Sequence, residues 1–428
     1  MRVLMFGWEF PPHITGGLGT ACYGLTKALS KIGIEIKFVV PKVFGDEDNS
    51  MIHLIGAGDI PYIHNDIAIE EFWKKITYIE INSSILPYIS PEMYELLFSK
   101  AVLDKTQIHE SLFSTHFSFS GKYGKDLMLE VSRYALIAGI LAIKKDFDII
   151  HAHDWLTYPA GIMAKEISGK PLVVHVHATE FDRSGENINH QVYDIEKKGM
   201  DNADIIVSVS NYTRNIIIER YNIDPDKVIT VYNGIEPNYN EYVSKYSNGK
   251  IKEKIVTFLG RVTFQKGPDY FVEAAYKVLQ KYKNVRFVMA GSGDMLNRMI
   301  KRVAQLQISN RFHFTGFLKG EEVDEMFALS DVYVMPSVSE PFGISPLEAI
   351  QSKVPVIISK QSGVAEVLKH AIKIDFWDID AMADAIYGLL NYDALSRFFV
   401  KYGKKEIENL KWDNAAFELR DIYYSLIK

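Results

Sequence analysis

Residues 148–177 read DIIHAHDWLTYPAGIMAKEISGKPLVVHVH, and this stretch decides the fold. Two mostly apolar runs, DIIHAH (148–153) and PLVVHVH (171–177), flank a longer segment with the spacing of a helix. Apolar residues nearly fill each run instead of alternating with polar ones, which indicates strands buried on both faces. The stretch therefore predicts two parallel strands connected by a covering helix.

The same alternation of short apolar runs and helical patterns continues along the chain in two series. The first series predicts strands at 2–7, 34–40, 148–153, 171–177, 204–210 and 227–232, and the second at 255–260, 285–291, 311–316, 331–336, 355–359 and 372–375. A chain of 428 residues also exceeds what one hydrophobic core usually serves. We expect an α/β protein with two doubly wound, Rossmann-like parallel-sheet domains that face each other across a cleft.

Two segments interrupt the alternation. The stretch 236–254 is polar and contains Pro, Asn and Gly, which is typical of a linker. We therefore predict a first domain at 1–238 and a second domain at 239–410. Residues 43–130 are rich in aromatic residues and break the rhythm of the first domain, so we interpret them as an insertion or an elaborated sheet edge.

Composition limits the possible partners and location. The net charge of −6 argues against nucleic acid or an anionic membrane as the main partner, because both attract clustered cations. The apolar stretch 134–143 is half of what a bilayer requires, so it predicts a buried helix and makes membrane association unexpected. Cys22 is the only cysteine, which excludes an intramolecular disulfide, and the N-terminus lacks a signal-peptide pattern. We expect a cytoplasmic protein in which Cys22 is a small buried residue.

Charged residues follow the first strand of the second series. Ligands of doubly wound sheets bind beyond the carboxyl ends of the strands. Arg261 comes directly after strand 255–260, and Lys266 precedes a helix predicted to begin at Gly267 and Pro268. A cation is unfavourable beside a helix N-terminus, whereas an anion bound between both cations and the helix N–H groups would reverse that penalty. The pattern favours an anion site, and two solvated surface cations are the alternative.

Glycine loops follow other strands. Gly16 and Gly17 lead into the first helix, and a second loop, GSGD, begins at Gly291. Backbone N–H groups without side chains can approach a phosphate closely, although a purely structural turn has the same composition. The spacing differs from G-x-G-x-x-G, and no clear acidic residue follows about twenty positions later, which argues against an NAD-dependent dehydrogenase.

The segment SEPFGISPLEAI (339–350) places two carboxylates around a glycine and two prolines. Its S-P-L-E box predicts an N-cap at Ser345, with Pro346 at the first helical position and Glu348 at the third. The alternative is that Glu340 and Glu348 flank a ligand. His153, at the end of strand 148–153, can likewise donate to a ligand hydroxyl. The D-x-D triplets lie where acidic residues commonly cap helices and strands, so no metal site is expected.

Several of these segments together resemble retaining nucleotide-sugar glycosyltransferases of the GT-B architecture. Glycosyltransferase family 4 is the nearest match, and the glycogen and starch synthases of family 5 are also similar. The resemblance covers nearly the whole chain, in the family's order and spacing, through TGGLG (15–19), HAHDW (151–155), VYNGI (231–235), GRVTFQKG (260–267), TGF (315–317) and PSVSEPFGISPLEA (336–349). It also implies that the last segment, 411–428, is a helix that crosses back onto the first domain.

The resemblance implies roles for individual residues. Arg261 and Lys266 would bind the donor diphosphate and stabilise it as it leaves, while Glu340 and His153 would lie beside the transferred hexose. Glu348 would accept hydrogen bonds from the ribose, which favours ligand contact over plain capping, and the two roles can coexist at this helix position. The remaining donor contacts implied are the backbone of Phe342, Gly343 and Ile344, the diphosphate contacts of Gly16 and Gly17, and the loops around Gly291, Gly316 and Phe317.

The resemblance also implies a reaction. We expect a hexosyltransferase that moves glucose from UDP- or ADP-glucose to an α-1,4-glucan with retention and without a metal ion or cofactor. Glu9, Trp8 and Trp155 are acceptor-side candidates, because sugar rings stack on aromatic faces, and core packing is the alternative for the tryptophans. Ile14 replaces the Lys that usually precedes TGGL in family 5, which argues against an ADP-glucose synthase of that type. A family 4 transferase with another acceptor, and a catalytically dead sugar-nucleotide-binding protein, remain as alternatives.

Overall fold

The first sheet consists of seven parallel strands in the order β3-β2-β1-β4-β5-β6-β7. The structure is a computed structural model that describes residues 1–13, 16–48, 50–61, 116–121, 123, 127–236 and 253–427. The strands of this sheet are β1 Arg2–Phe6, β2 Glu35–Val40, β3 His53–Gly56, β4 Ile149–His153, β5 Leu172–Val176, β6 Ile205–Ser208 and β7 Val228–Thr230.

The second sheet is also parallel and contains six strands in the order β10-β9-β8-β11-β12-β13. Its strands are β8 Lys254–Leu259, β9 Val285–Ala290, β10 Phe312–Gly316, β11 Val332–Met335, β12 Val356–Ser359 and β13 Ile372–Ile374. Every strand predicted from the sequence is present, and the expected α/β class with two Rossmann-like sheets is confirmed.

Strand order reverses once in each sheet. The chain runs from β1 outward to β3 and then returns to place β4 against the other side of β1, with Phe6 opposite Ala152. The second sheet repeats this arrangement, so that β11 lies against β8 with Tyr333 opposite Thr257. The carboxyl ends of β1 and β4, and of β8 and β11, are therefore the switch points at which such sheets bind ligands.

Helices cover both faces of each sheet. The first domain contains α1 Gly17–Lys31, α2 Leu127–Lys144, α3 Tyr158–Ser168, α4 Glu180–Ser184, α5 His190–Asn202 and α6 Asn211–Tyr221. The second contains α7 Pro268–Lys281, α8 Leu296–Gln305, α9 Glu321–Leu329, α10 Ser345–Gln351, α11 Val364–Val367, α12 Ile379–Asn391 and α13 Asp393–Ile407, and α14 Trp412–Leu426 ends the chain. Two large buried apolar clusters flank each sheet.

Part of the predicted insertion belongs to the sheet itself. Residues 53–56 form β3, which pairs in parallel with β2 and extends the sheet by one edge strand. Of the two interpretations of 43–130, an elaborated sheet edge is therefore confirmed for residues 53–56. The strand itself was not predicted, because a short half-exposed strand lacks the apolar run that marks a buried one. Residues 62–115 of this segment lie outside the described residues, as does most of the predicted linker.

The last helix, α14, packs against α1 of the first domain. Trp412 fills the space above Gly24, where an added Cβ would lie 2.3 Å from the indole nitrogen. Gly234 meets the backbone of Trp412 just as closely, at 2.2 Å from its amide nitrogen. Tyr423 and Leu419 continue the same contact within the buried cluster of α1. The chain end is thus part of the first domain's core.

The apolar stretch at 134–143 lies within α2, and most of its side chains are buried, as predicted. None of the helices in the described ranges is long and apolar enough to cross a membrane. Cys22 is a free, fully buried thiol, and burial raises its pKa well above the usual range.

Candidate active site

Lys266 and Glu340 meet at the switch point of the second sheet. Lys266 ends a short 3-10 turn, Phe264–Lys266, after β8, and Glu340 belongs to the loop after β11. The Lys266 ammonium forms an ion pair with Glu340 Oε2, which also accepts a hydrogen bond from Ser337 Oγ at 3.0 Å. Glu340 is only 6 % exposed. The sequence placed both residues at strand ends, and the strand order brings them together.

The start of α7 agrees with the prediction. Gly267 is the N-cap, with φ of 64°, and Pro268 is the first helical residue, so Lys266 stands directly before the helix. A Cβ on Gly267 would lie 2.2 Å from the Pro336 carbonyl oxygen, which explains why glycine is needed. The helix N-terminus and Lys266 therefore present positive potential to the same space.

Arg261 lies on the exposed side of this site. Its guanidinium donates a 3.3 Å hydrogen bond to Gln265, and no carboxylate in the described ranges pairs with it. The Arg261 guanidinium can therefore form an ion pair with an incoming anion. Arg261 and Lys266 thus follow the same strand, the former open to solvent and the latter partly buried.

In the loop between Glu340 and α10, three amides have no hydrogen-bond acceptor among the described residues. Gly343 has φ of 97°, and a Cβ there would lie 3.2 Å from the Glu340 side chain, so glycine allows both the turn and the contact. Within the described part of the chain, the amide N–H groups of Phe342, Gly343 and Ile344 donate to no other group. Phe342 anchors the loop in the core, and Ile344 packs against clusters of both domains. This loop can therefore present N–H donors to a ligand.

Glu348 lies in the first turn of α10, but the predicted cap is wrong. Ile344 is the N-cap and Ser345 is already helical, because the helix begins one residue earlier, directly after the turn at Gly343. No side chain of the described residues caps this helix. The half-buried carboxyl of Glu348 accepts no hydrogen bond from the described residues. Loss of hydration, with a smaller effect of Asp324, raises its pKa to about 7. Such an unsatisfied carboxyl favours ligand contact over capping.

Gly16 and Gly17 begin α1 next to the switch point of the first sheet. A Cβ built on either residue meets no described atom within 4 Å, and Gly16 has an extended backbone with φ of −173°. Neither local packing nor backbone strain accounts for these two glycines. The first turn of α1 contains no acidic residue, and among the described residues no side chain caps it, so its N–H groups can bind a ligand. The neighbouring Ile14 lies outside the described residues.

The glycines after β9 and β10 belong to the same sheet edge. A Cβ on Gly291 would lie 1.8 Å from the Gly260 carbonyl oxygen, which gives this glycine a sufficient structural reason. The Gly291 amide donates to Gly316 O at 2.7 Å, so the two loops are tied together. Beyond them Phe317 is 45 % exposed, with the Lys319 ammonium 5.8 Å from its ring centroid. Phe317 thus offers an aromatic face beside the strand ends.

His153 ends β4 inside a buried group of imidazoles. Its Nδ1 lies 2.9 Å from Nε2 of His177, and its ring stacks against His151 at 4.3 Å between centroids. His151 contacts the Tyr423 hydroxyl of α14 at 2.5 Å, and His175 completes the group. Burial lowers the pKa of all four histidines, that of His177 to about 3, so they are neutral at physiological pH.

Among the described residues three groups have metal-ligand spacing, and two of them involve these histidines; the third consists of His13, Asp46 and Glu47. Ligand atoms of His151, His153 and His175 lie within 4.8 Å of one another, as do those of Cys22, His153 and His177. Neutral imidazole and thiolate are ligands that suit zinc and other transition metals. The D-x-D residues act as the sequence indicates: Asp148 binds Arg2 at the start of β1, and Asp378 caps α12.

The acceptor-side candidates are more buried than an open sugar site requires. Trp8 is 2 % exposed and packs edge-on against Tyr134, with 5.7 Å between ring centroids. The structure therefore favours core packing for Trp8, which has no free face for a sugar, and corrects its assignment as an acceptor residue. Trp155 is half-buried against the same cluster, and Glu9 is buried. Burial cannot be read from an isolated aromatic residue in a sequence.

Sequence reasoning missed residues that contact the Glu340 loop from the first domain. Asp182 of α4 accepts a hydrogen bond from Ser339, and Tyr212 of α6 contacts the same hydroxyl. The segment TEFD at 179–182, directly after β5, forms a capping box through Thr179 and Asp182. That local signal was readable in the sequence, but its contact with Ser339, 157 residues away, was not.

Two parallel-sheet domains, with cations and amide donors at the switch point of the second sheet, have the arrangement of the GT-B architecture. Residues 2–230 match the family described as starch synthase catalytic domain, and residues 244–406 match the glycosyl transferases group 1. The chain belongs to this starch synthase-like family and is a glycosyltransferase of the family 4 type.

Known proteins resemble the chain over nearly its full length. An uncharacterised glycosyltransferase of Methanocaldococcus jannaschii is 28 % identical over 99 % of this chain and 98 % of its own. The glycogen synthase of Mycobacterium tuberculosis is 22 % identical over 99 % of this chain and 94 % of its own. Among solved structures, the sucrose-phosphate synthase of Thermosynechococcus elongatus superposes with a TM-score of 0.73 at 17 % identity, covering 99 % and 98 % of the two chains.

Proposed function

We propose that this glycosyltransferase moves glucose from UDP- or ADP-glucose to the end of an α-1,4-glucan chain with retention of configuration. The observation that carries the proposal is the Lys266–Glu340 ion pair, which lies beside the free amides of Phe342 to Ile344 at a switch point. A cation and amide donors suit a diphosphate, and a carboxylate suits sugar hydroxyls. This combination fits a nucleoside diphosphate sugar.

The donor would occupy the space between the two switch points. Lys266, Arg261 and the loop amides bind the diphosphate, and Glu348 accepts hydrogen bonds from the ribose. Phe317, beyond the ends of β9 and β10, provides a face for the base. Gly16 and Gly17 let the N-terminus of α1 approach the diphosphate from the other domain.

Transfer then follows a front-face substitution through an oxocarbenium-like state. The acceptor hydroxyl oxygen forms the new bond to the anomeric carbon on the face from which the diphosphate departs. The anomeric carbon–oxygen bond to the phosphate breaks, and the leaving phosphate takes the acceptor proton. Lys266, Arg261 and the loop amides stabilise the negative charge that grows on the phosphate.

The choice of a glucan acceptor is supported by the starch synthase-like first domain and by the likeness to a glycogen synthase. A family 4 transferase that acts on a surface polysaccharide, a glycolipid or a small molecule is the second candidate. It is favoured by the burial of Trp8, which removes one of the aromatic faces expected for a glucan. A dead sugar-nucleotide-binding protein is a third possibility. A cytoplasmic location stays a prediction.

The test is an incubation of the purified protein with UDP- or ADP-glucose and with glycogen or maltooligosaccharides. Chain extension together with nucleoside diphosphate release is the expected result, and Lys266→Ala serves as the inactive control. Absence of extension with both donors would overturn the glucan assignment. Donor consumption without extension would indicate another acceptor, and binding without any diphosphate release would indicate the dead protein.

We further propose that transfer requires no metal ion, because Arg261 and Lys266 supply the positive charge that a metal would otherwise bring to the diphosphate. Turnover should be unchanged after dialysis against a chelator. A loss of turnover that zinc or magnesium restores would contradict this, and the histidines around His153 would then be the ligands to examine.

A further inference from the structure

The residue before Glu340 is held by the first domain. Ser339 Oγ donates a 2.5 Å hydrogen bond to Asp182 Oδ1, and the Tyr212 hydroxyl lies 2.9 Å from the same oxygen. Because the Ser339 proton is directed to the carboxylate, Tyr212 donates to Ser339. All three atoms lie in the interface between the domains, where Ser339 and Asp182 are almost fully buried.

The residue after Glu340 is held in the same way. The carbonyl oxygen of Pro341 accepts hydrogen bonds from Ser210 Oγ at 2.5 Å and from Thr213 Oγ1 at 3.3 Å. Both donors belong to the first turn of α6, and Ser210 is its N-cap. Glu340 therefore lies between two neighbours that are each bonded to the first domain, although its own strand belongs to the second.

Helix α4 contacts both segments that supply the ion pair. Asp182 binds Ser339, next to Glu340, while the same helix packs against the 3-10 turn that ends in Lys266. Just beyond α4, Gly185 lies against the ring of Phe264 in that turn, with 3.5 Å between an added Cβ and the ring. One short element of the first domain thus touches both sides of the pair.

Helix α4 is itself held rigidly. Asp182 Oδ2 accepts hydrogen bonds from the Thr179 amide at 2.7 Å and the Thr179 hydroxyl at 2.8 Å, and these bonds cap the helix. Arg183 forms ion pairs with Glu180 and with the buried Glu196 of α5. A network in which every polar group has a hydrogen-bond or ionic partner fixes its side chains in position. Helix α4 can therefore hold the residues that it contacts in place.

We propose that Asp182 is a positioning residue that acts through Ser339 to place Glu340 beside the donor. The inference rests on the proposed function, and it assigns part of the donor site to the first domain. When the domains separate, the bonds of Ser339 and Pro341 are lost together, and Glu340 is released from its position. The site is then complete only in the closed protein, which limits hydrolysis of a bound donor by water.

The kinetic test uses Ser339→Ala, which removes the interdomain bond and leaves the cap of α4 intact. A displacement of about 1 Å near the reacting atoms can cost up to 100-fold in rate, so we expect kcat to fall about tenfold. Nucleoside diphosphate binding should stay within about twofold, because Lys266 and Arg261 are unchanged. Ser339→Thr retains the hydroxyl and should restore most of kcat. Ser396→Ala, which removes a hydrogen bond elsewhere in the second domain, is the matched control.

A double-mutant cycle separates positioning from simple destabilisation. If Asp182→Asn and Ser339→Ala act through the same bond, the loss of kcat in the double variant is smaller than the product of the single losses. Losses that multiply, or an unchanged kcat in Ser339→Ala, would overturn the proposal.

Hydrogen–deuterium exchange gives a readout that does not depend on activity. In the segment 338–340, the amides of Val338 and Glu340 donate to Gln265 O and Gln361 O, both at 2.9 Å. In Ser339→Ala these two amides should exchange about tenfold faster than in the wild-type protein, while Ser396→Ala should leave them unchanged. Unchanged exchange of this segment in Ser339→Ala would overturn the positioning role. An inactive wild-type protein with the expected exchange pattern would contradict the proposed function but support the role of Asp182.

Discussion

Lys266 and Glu340, 74 residues apart, form an ion pair that closes the gap between the ends of β8 and β11. The carboxylate is nearly buried, whereas the Lys266 side chain retains 21 % exposure. An anionic donor entering this space must share Lys266 with Glu340. The ion pair is therefore a structural contact of the ligand-free protein, and Glu340 competes with a bound diphosphate for the Lys266 ammonium.

Replacing Lys266 should affect the chemical step most strongly. Lys266→Ala removes a cation proposed to bind the leaving phosphate, and we expect kcat to fall about 100-fold, or roughly 3 kcal/mol of transition-state stabilisation. Steady-state release of nucleoside diphosphate measures the effect. Lys277→Ala removes an exposed lysine of α7 and should leave turnover unchanged. Near-normal turnover in Lys266→Ala would remove this residue from the mechanism.

Replacing Glu340 should separate binding from transfer. Glu340→Gln frees Lys266 and removes a negative charge beside the diphosphate, so nucleoside diphosphate binding should tighten about three- to tenfold. Transfer should fall by at least about 100-fold if the carboxylate contacts the hexose. Calorimetric titration and the transfer assay test the two effects. Weaker diphosphate binding in this variant would show that Glu340 does not compete for Lys266.

The pKa of Glu348 predicts a pH dependence. The carboxyl is protonated below its pKa of about 7, and only the carboxylate accepts from both ribose hydroxyls. The kcat/KM for the donor should therefore rise between pH 6 and pH 8 with a midpoint near 7, and Glu348→Gln should lose this limb. If the limb persists in the Gln variant, the titrating group is elsewhere.

The same group predicts the sign of a stability effect. The pKa of Glu348 is raised from 4.5 in the unfolded chain to about 7 in the folded protein, so the native state binds its proton more tightly. Its contribution to stability is greatest at acidic pH and is lost as the pH rises through this window. Glu348→Gln should therefore raise the melting temperature at pH 8 but not at pH 4. Equal shifts at both pH values would contradict the titration.

Gly16 offers a test of ligand approach without a change of fold. Its backbone is extended and an added Cβ meets no atom of the described residues, so Gly16→Ala should melt within about 1 °C of the wild-type protein. Donor affinity should nevertheless fall about tenfold, because the methyl group would separate the diphosphate from the N-terminus of α1. Gly388→Ala, on α12, is the control with unchanged affinity. Full donor affinity in Gly16→Ala would exclude this contact.

The candidate site was readable in part because some of its signals are local. Lys266 precedes Gly267 and Pro268. Glycine at the N-cap and proline at the first helical position favour a helix start through local backbone geometry, independently of distant residues. The cap of α10 was read wrongly because the turn at Gly343, with its positive φ, shifts the helix start by one residue. The edge strand β3 was missed because it is short and only half-buried.

The sequence alone determined that this protein consists of parallel sheets covered by helices. Strands with near-continuous apolar runs must be buried on both faces, and helices on both sides of a parallel sheet bury them in this way. It also placed Arg261, Lys266, Glu340 and His153 at strand ends. Only the tertiary structure decided that β4 lies beside β1 and β11 beside β8, and that Asp182 meets Ser339 across 157 residues. Strand order and domain contact depend on packing between distant segments, which local periodicity does not encode.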